Sequence, residues 1–167
     1  MRIVLLSCIV LLLVSCKTTT YYVVRHAEKE TTNSMASDVP LSEAGRQRAI
    51  ALKELLQQAN IQHIYSTDFL RTRQTAQPLA DAKQINIEVY DYRDTSFVPM
   101  LKRLQKNALV VGHSNTIDDV VNGLLGRKVI PGDLPETVYG DLFIVKRKGK
   151  KYSFTKSHFG TVSGSQQ

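Results

Sequence analysis

The stretch YYVVRHAEKE, residues 21–30, has four residues that suit a buried strand, followed at once by an arginine and a histidine. Tyrosine and valine are favoured in strands because aromatic and β-branched side chains pack well on a pleated surface. Arginine and histidine are poor residues for the end of a buried strand, because polar and charged groups are costly to bury without partners. Arg25 and His26 therefore indicate that the tip of this strand has a task other than packing.

The pattern of strand followed by helix repeats along the chain. Ser42 is placed to cap the first helix, and Pro78 to kink or shorten the second. The apolar run in NALVVGH, residues 107–113, is typical of a central parallel strand. The pattern predicts an α/β fold, a three-layer α/β/α sandwich with a mostly parallel central sheet. The predicted strands are residues 20–26, 61–66, 85–90 and 107–113, the predicted helices are residues 40–60, 70–83, 96–106 and 115–126, and residues 139–160 are predicted to form a closing hairpin.

The carboxyl ends of parallel strands lie at one edge of the sheet, where α/β folds bind their ligands. The first strand ends at Arg25 and His26, and the fourth ends at His113. The second strand ends at Ser66, and Arg71 follows within the next turn. These strand ends are therefore expected to bring two arginines and two histidines to one rim.

Two arginines and two histidines at one rim make a positive pocket that suits an anion with several oxygens. Guanidinium groups bind phosphate oxygens in bidentate fashion, and a helix that begins beyond His113 would add backbone N–H donors. A histidine among arginines has its pKa lowered by like charge. Such a histidine is neutral and is suited to act as a nucleophile.

Four segments of the sequence, in order, resemble the motifs of the histidine phosphatase superfamily, whose fold is phosphoglycerate-mutase-like. RHAEK (residues 25–29) resembles its first signature and PLSEAGRQRA (40–49) its first helix start. YSTDFLRTRQTAQPLA (65–80) and VVGHSNTI (110–117) resemble its second and third motifs. The resemblance extends from about residue 21 to the end of the hairpin.

The resemblance implies a role for each matching residue. His26 would accept the phosphoryl group as phosphohistidine, and Arg25, Arg71 and His113 would bind the phosphoryl oxygens and stabilise the charge spread over them during transfer. Water would then hydrolyse the phosphoenzyme. No metal and no other cofactor is implied. Two further polar residues, Ser66 and Asn115, are candidate hydrogen-bond donors at the phosphate pocket or, alternatively, helix caps.

The general acid is the part of the resemblance that the sequence leaves open. Some relatives have an aspartate after the second histidine, but Ser114 stands there. The candidates are Glu28, Asp91 and Asp94. The two aspartates have an alternative interpretation as turn and helix-cap residues.

The amino-terminal residues predict a lipoprotein signal. A basic start is followed by the apolar run Ile3–Val14, which is shorter than the roughly 18 residues that a membrane-spanning helix needs. The segment LVSC, residues 13–16, resembles a bacterial lipobox, so Cys16 is expected to carry lipid. Cys8 would leave with the signal, and no thiol would then be available for a disulfide.

These features divide the chain into a signal peptide (1–15), a lipidated cysteine with a short linker (16–20), a histidine phosphatase domain (21–160) and a flexible tail (161–167). The expected location is the bacterial cell envelope, on the outer membrane and facing the periplasm. The full chain has a net charge of +7. The basic segment KRKGKK, residues 146–151, is interpreted as a solvated hairpin turn, with nucleic-acid or anionic-lipid binding as the alternative.

The sequence as a whole predicts a metal-independent phosphatase that acts on phosphomonoesters or phosphohistidine through a phosphoenzyme on His26. Its expected partners are a phosphorylated small molecule or phosphoprotein and a membrane, with no nucleic acid. The sequence leaves the oligomeric state open. The alternative is a catalytically inactive lipoprotein of the same fold that binds phosphate or another anion.

Overall fold

A computed structural model describes residues 17–32 and 38–160 of the chain. The predicted signal peptide, Cys16 and the predicted tail 161–167 lie outside these residues. Among the described residues, no helix is both long enough and apolar enough to cross a membrane. The strands are β1 (Thr18–Arg25), β2 (His63–Ser66), β3 (Ile87–Val89), β4 (Ala108–Gly112), β5 (Asp141–Lys148) and β6 (Lys151–His158), and the helices are α1 (Glu43–Leu56), α2 (Leu70–Lys83), α3 (Phe97–Leu104) and α4 (Ile117–Leu125).

The six strands form one sheet in the order β3-β2-β4-β1-β5-β6. The first four strands along the chain are mutually parallel, and β5 and β6 form an antiparallel hairpin that pairs with β1. In this register Arg25 pairs with Gly112, so the carboxyl ends of β1 and β4 lie side by side. The prediction of an α/β fold with a mostly parallel sheet is confirmed.

The sheet separates two apolar cores, which gives the three layers. Helices α1 and α2 pack on one face, where Leu52 and Leu79 meet the sheet. Helices α3 and α4 pack on the other, where Leu101 and Leu124 are fully buried. Strand β1 serves both cores because successive side chains of a strand point to opposite faces: Tyr21 and Val23 lie in one core, and Val24 lies in the other.

The helix ends follow local chemistry, with one exception. The hydroxyl of Ser42 accepts a hydrogen bond from the backbone N–H of Gly45, so this residue caps α1 as predicted. Helix α4 ends at Gly126, whose φ of 67° is the left-handed conformation that glycine adopts readily. Pro78, by contrast, does not shorten α2, which continues to Lys83. Of the two predicted effects of Pro78, the early break is wrong, because packing of the helix against the sheet outweighs the local preference, and the kink stays a prediction.

The predicted linker, residues 16–20, is shorter than expected, because its last three residues belong to the sheet. Residues Thr18–Thr20 belong to β1, and they pair with the end of β5 from Lys148 to Lys146. Thr19 and Thr20 are buried. The sheet therefore begins one residue after Lys17, and the folded domain begins directly after the predicted lipidation site.

Candidate functional site

The four predicted phosphate-site residues line one cavity at the carboxyl edge of the sheet. The cavity has a volume of about 370 Å³. Arg25 ends β1 with His26 directly after it, Arg71 lies in the first turn of α2, and His113 follows β4. The other residues that line the cavity are Lys29, Phe69, Tyr92, Ser114, Asn115, Asp133 and Glu136.

The tautomer of His26 follows from its one backbone partner. Its Nδ1 lies 2.7 Å from the carbonyl oxygen of Ala27. Because a carbonyl oxygen only accepts, Nδ1 carries the proton and Nε2 retains its lone pair. The ring is buried, and its backbone N–H donates to the carbonyl of Gly112 at 2.9 Å. The position and the protonation of this imidazole are thus set by two backbone carbonyls, that of Gly112 at the end of β4 and that of Ala27 just beyond β1.

Burial is the main reason that His26 is neutral. Its pKa is lowered to about 3, and desolvation is the largest cause, although the hydrogen bond to Ala27 opposes this effect. The positive charges of Arg25 and Arg71 and the neighbouring His113 contribute to the same lowering. An imidazole with this pKa is unprotonated at neutral pH and can attack an electrophile.

His113 is neutral for the same reason and is held from both sides. Its Nε2 lies 3.0 Å from the hydroxyl of Thr67, and its Nδ1 lies 3.4 Å from Nη2 of Arg71. Since a guanidinium only donates, Nδ1 is the acceptor and Nε2 donates to Thr67. Burial and the charges of Arg71 and Arg25 lower the pKa of His113 to about 4. The ring centroids of His113 and His26 are 5.5 Å apart.

Arg25 is the most buried cation of the cavity, with a side-chain exposure of 2%. Its Nη1 donates to the carbonyl oxygens of Pro135 and Val138 at 3.0 and 3.1 Å. Its guanidinium also lies over the ring of Tyr139, 4.3 Å from the centroid. The segment before β5 therefore fixes the plane of this guanidinium, and a fixed fork is what geometric recognition of an oxyanion requires.

Glu136 is a cavity residue that the sequence analysis did not identify. Its Oε2 accepts from Nη2 of Arg25 at 2.7 Å, and its Oε1 accepts from the hydroxyl of Ser114 at 2.9 Å. Desolvation opposes ionisation of Glu136, but the Ser114 hydrogen bond and the charge of Arg25 lower its pKa below the usual range. A carboxylate therefore contacts the arginine that is predicted to bind phosphate. The direction of β5 could have indicated this position. A strand antiparallel to β1 must begin at the carboxyl edge, so the segment just before it, which contains Glu136, must lie there too.

The predicted general acids lie elsewhere. The carboxylate of Glu28 is held by the buried Arg48 through three contacts of 2.7 to 2.9 Å. Asp91 is exposed and binds Arg93. None of the three candidates lines the cavity. The prediction of a general acid among them is not supported by their positions.

The alternative interpretation, turn and cap residues, fits the two aspartates. Asp91 accepts from the backbone N–H of Arg93 across a turn at 2.9 Å. Asp94 accepts from the backbone and the hydroxyl of Ser96 at 2.8 and 2.9 Å, at the start of α3. Both carboxylates therefore satisfy local donors, as turn and cap residues do.

The two candidate donors at the rim differ in position. Ser66 is fully buried, does not line the cavity, and donates its hydroxyl to the carbonyl of Thr67 at 2.9 Å. Its predicted role in phosphate binding is therefore corrected. Asn115 lines the cavity and is exposed, so its role stays a prediction. Among residues 17–32 and 38–160, no group of three or more His, Cys, Asp or Glu side chains is arranged to hold a metal ion.

The fold and the motifs have known counterparts. Residues 21–92 match the family model of the histidine phosphatase superfamily, branch 1. A curated relative, "Probable phosphoglycerate mutase GpmB" from Escherichia coli, is 29% identical over 117 residues, which cover 67% of this chain and 54% of the relative. The chain thus spans about half the length of the curated relatives it matches.

Two solved structures have the same fold. SixA from Agrobacterium tumefaciens aligns with a TM-score of 0.63 and 21% identity, over 86% of this chain and 98% of that one. The protein histidine phosphatase SixA in complex with tungstate aligns with a TM-score of 0.63 and 18% identity, over 84% and 97%. Residues 21–92 thus match the histidine phosphatase superfamily, and the chain shares its fold with these two solved structures.

Proposed function

We propose that the protein is a metal-independent phosphatase in which His26 is transiently phosphorylated. The observation that carries the proposal is the protonation of His26: its Nδ1 proton is bound by the Ala27 carbonyl, so Nε2 has a lone pair beside two guanidinium groups. Phosphoryl transfer requires a positioned nucleophile and positive charge around the equatorial oxygens, and little other chemistry from the protein.

The first step forms a bond between Nε2 of His26 and phosphorus while the bond from phosphorus to the leaving oxygen breaks. Arg25 and Arg71 offset the negative charge that spreads over the three equatorial oxygens. His113 takes up a proton from solvent on Nδ1 as the dianion binds, and it then donates to a phosphoryl oxygen. In the second step water attacks phosphorus and gives up a proton to a carboxylate of the cavity, the N–P bond breaks, and inorganic phosphate leaves.

Proton supply to the leaving group falls to the cavity itself. Among the described residues, the carboxyl groups that line the cavity are Glu136 and Asp133. A bound dianion replaces Glu136 on Arg25 and raises the pKa of that carboxyl by repulsion, which makes it a donor. A phenolate leaving group departs without a proton, so p-nitrophenyl phosphate measures phosphoryl transfer separately from proton donation.

The substrate is proposed to be a phosphomonoester or a protein phosphohistidine. Support comes from the SixA neighbour, a protein histidine phosphatase that binds tungstate, an oxyanion of similar shape to phosphate. The small cavity, about 370 Å³ and open to solvent, favours a substrate of which only the phosphoryl group is enclosed. The proposed location is the cell envelope, with a lipid anchor on Cys16.

The test is a phosphoenzyme trap on the chain from Lys17 onward. Turnover of p-nitrophenyl phosphate should survive EDTA. Rapid acid-free quenching should leave a labelled enzyme that is stable in base and labile in acid, with the label on His26. A label that survives acid would indicate a serine or threonine ester and would contradict the proposal.

A second function, binding of an oxyanion without turnover, is favoured by one observation. The carboxylate of Glu136 contacts Arg25 at 2.7 Å, and none of the predicted general acids lines the cavity. Calorimetric titration with tungstate together with the turnover assay separates the two. Binding without turnover of any phosphomonoester or phosphohistidine peptide would support the binding protein.

A further inference from the structure

The end of the sheet opposite the cavity carries a cluster of exposed positive charge. Strand β1 begins there, helix α3 ends there, and the hairpin turns there through Gly149, whose φ is 60°. The strand register places Thr18 beside Lys148 and Thr19 beside Arg147. The basic amino-end face is defined by Lys17, Lys102, Arg147, Lys148, Lys150 and Lys151.

Backbone and ring contacts join the parts of this face. The Nη1 of Arg147 donates to the carbonyl oxygen of Lys102 at 2.7 Å, which ties the hairpin to α3. The ring of Tyr152 lies under both cations, 5.7 Å from the Nζ of Lys102 and 5.7 Å from the Cζ of Arg147. The hydroxyl of Thr19 donates to the carbonyl of Gln105 at 3.2 Å. The strand, the hairpin and the helix thus present their charges together.

The positive charge of the basic amino-end face is not neutralised within the described part of the chain. None of its six side chains forms an ion pair with a described carboxylate. The acidic residues at this end include Glu54 and Asp81, in the last turns of α1 and α2, and Asp81 accepts from the Nε2 of Gln77. A face of this kind attracts a surface with many negative charges.

The amino-terminal sequence favours a lipid surface as the partner. Two anchors are predicted at this point of the chain: the apolar run Ile3–Val14 before cleavage of the signal, and the lipid on Cys16 after it. Both lie within three residues of Lys17, and three residues span at most about 10 Å when extended. That distance is close to the Debye length of about 10 Å at 0.1 M salt, so a membrane that held either anchor would interact with the lysines of the face.

We propose that the basic amino-end face docks on anionic phospholipid headgroups and thereby orients the domain. Strand β1 has eight residues, and at about 3.3 Å per residue it separates the face from Arg25 by about 23 Å. The cavity consequently opens away from the membrane. This proposal rests on the charge of the face and on the point where the amino-terminal segment joins it. It does not depend on phosphatase activity.

The test is a lysine footprint on the full chain, residues 1–167, reconstituted through its own amino-terminal segment. One set of vesicles is phosphatidylcholine, and the other contains about one third phosphatidylglycerol. A membrane-impermeant acetylating reagent labels exposed amines, and mass spectrometry reads each lysine. Lys29, at the cavity, and Lys156, near the end of β6, are internal references in the same molecules.

On the anionic vesicles, acetylation of Lys148, Lys150 and Lys151 should fall at least threefold relative to Lys29 and Lys156. High salt should abolish the difference, because headgroup attraction is screened. Equal labelling on the two kinds of vesicle would overturn the proposal. Protection of the same lysines by a single-stranded DNA oligonucleotide, without protection by anionic vesicles, would also overturn it and would assign the face to nucleic acid.

A charge-matched pair of triple variants tests whether the face acts as a unit. The substitutions Lys148→Gln, Lys150→Gln and Lys151→Gln should abolish the protection of the unchanged Lys102 on anionic vesicles. The control, Arg46→Gln, Arg73→Gln and Arg93→Gln, removes the same charge elsewhere, leaves both reference lysines in place and should preserve that protection. Loss of protection in both triples would show an effect of net charge alone and would contradict a defined face.

Discussion

The two ends of strand β1 both carry positive charge, but in opposite physical states. At its carboxyl end, Arg25 and His26 are almost completely buried. At its amino end, Lys17 is exposed to solvent, and so is Lys148, which pairs with Thr18. The buried guanidinium and the neutral imidazole have fixed partners, whereas the exposed lysines are solvated.

The difference shows how burial determines what a cation can recognise. Burial lowers the pKa of His26 to about 3, and backbone carbonyls fix the guanidinium of Arg25, so this end suits one small anion in one orientation. Exposed lysines together create a diffuse positive potential, which is screened by salt and suits a broad anionic surface. One strand therefore serves a selective site and a diffuse one.

The largest expected effect removes the proposed nucleophile from the buried end. The substitution His26→Ala should reduce kcat for p-nitrophenyl phosphate by at least about 10³-fold, because no phosphoenzyme can form. The matched control is His63→Ala, which removes a histidine that pairs with Glu88 on β3. Steady-state assays with EDTA measure both. Turnover within tenfold of the unchanged protein in His26→Ala would show that buried charge alone performs the reaction.

The next effect tests whether the orientation of the half-buried Arg71 guanidinium matters beyond its charge. Arg71→Lys keeps the charge but loses the planar fork, and kcat/KM should fall by about 10²-fold. Arg73→Lys, two residues away, changes an exposed arginine that pairs with Asp68, and it should change kcat/KM less than twofold. Equal effects of the two substitutions would remove the distinction between oriented and diffuse cations.

Local sequence signals predicted the strand ends, and therefore the cluster of Arg25, His26, Arg71 and His113. Apolar runs that stop at a charged residue mark the end of a strand, and parallel strands share one ligand-binding edge. Packing reversed the local preference at Pro78, which stays inside α2 among the buried Ala76 and Leu79. Propensity is a weak guide where a helix face is buried.

Long-range pairing explains the part of the site that could not be predicted. Glu28 is a carboxylic acid two residues after His26, so the sequence makes it a candidate general acid. In the structure, however, its carboxylate is bound by Arg48, twenty residues further along. No local pattern reveals such a pair. The contact of Glu136 with Arg25 spans 111 residues. Its place at the carboxyl edge was nevertheless open to inference from the antiparallel direction of β5.

The buried end should also make stability depend on pH, unlike the exposed end. The unfolded chain protonates its histidines below about pH 6.5, whereas His113 and His26 in the fold stay neutral until about 4 and 3. Between pH 6.5 and 4 the unfolded state binds more protons, so acid lowers the free energy of unfolding. The slope is at most about 1.4 kcal/mol per pH unit for each group.

Urea unfolding at pH 7 and pH 5 measures this dependence. Other groups titrate in the same range, so the informative quantity is the difference between variants. His113→Gln should lose less stability between the two pH values than the unchanged protein does. His158→Gln, which alters an exposed histidine, should keep the original dependence. Identical dependence in the unchanged protein and His113→Gln would mean that His113 is not held neutral by the fold.

The smallest effect concerns Glu136, the carboxylate that contacts the buried Arg25. The carboxylate of Glu136 accepts a hydrogen bond from Nη2 of Arg25 at 2.7 Å, although the Glu136 side chain is 69% exposed. Glu136→Gln removes a negative charge that competes with phosphate, and an exposed partner of this kind contributes up to about 1 kcal/mol, or roughly fivefold. The inhibition constant of inorganic phosphate should therefore fall by about that factor.

Asp133→Asn, at the same cavity, is the matched control and should change the inhibition constant less. A higher inhibition constant in Glu136→Gln would indicate instead that this carboxylate holds Arg25 in position for phosphate, so that the buried end would depend on its exposed rim.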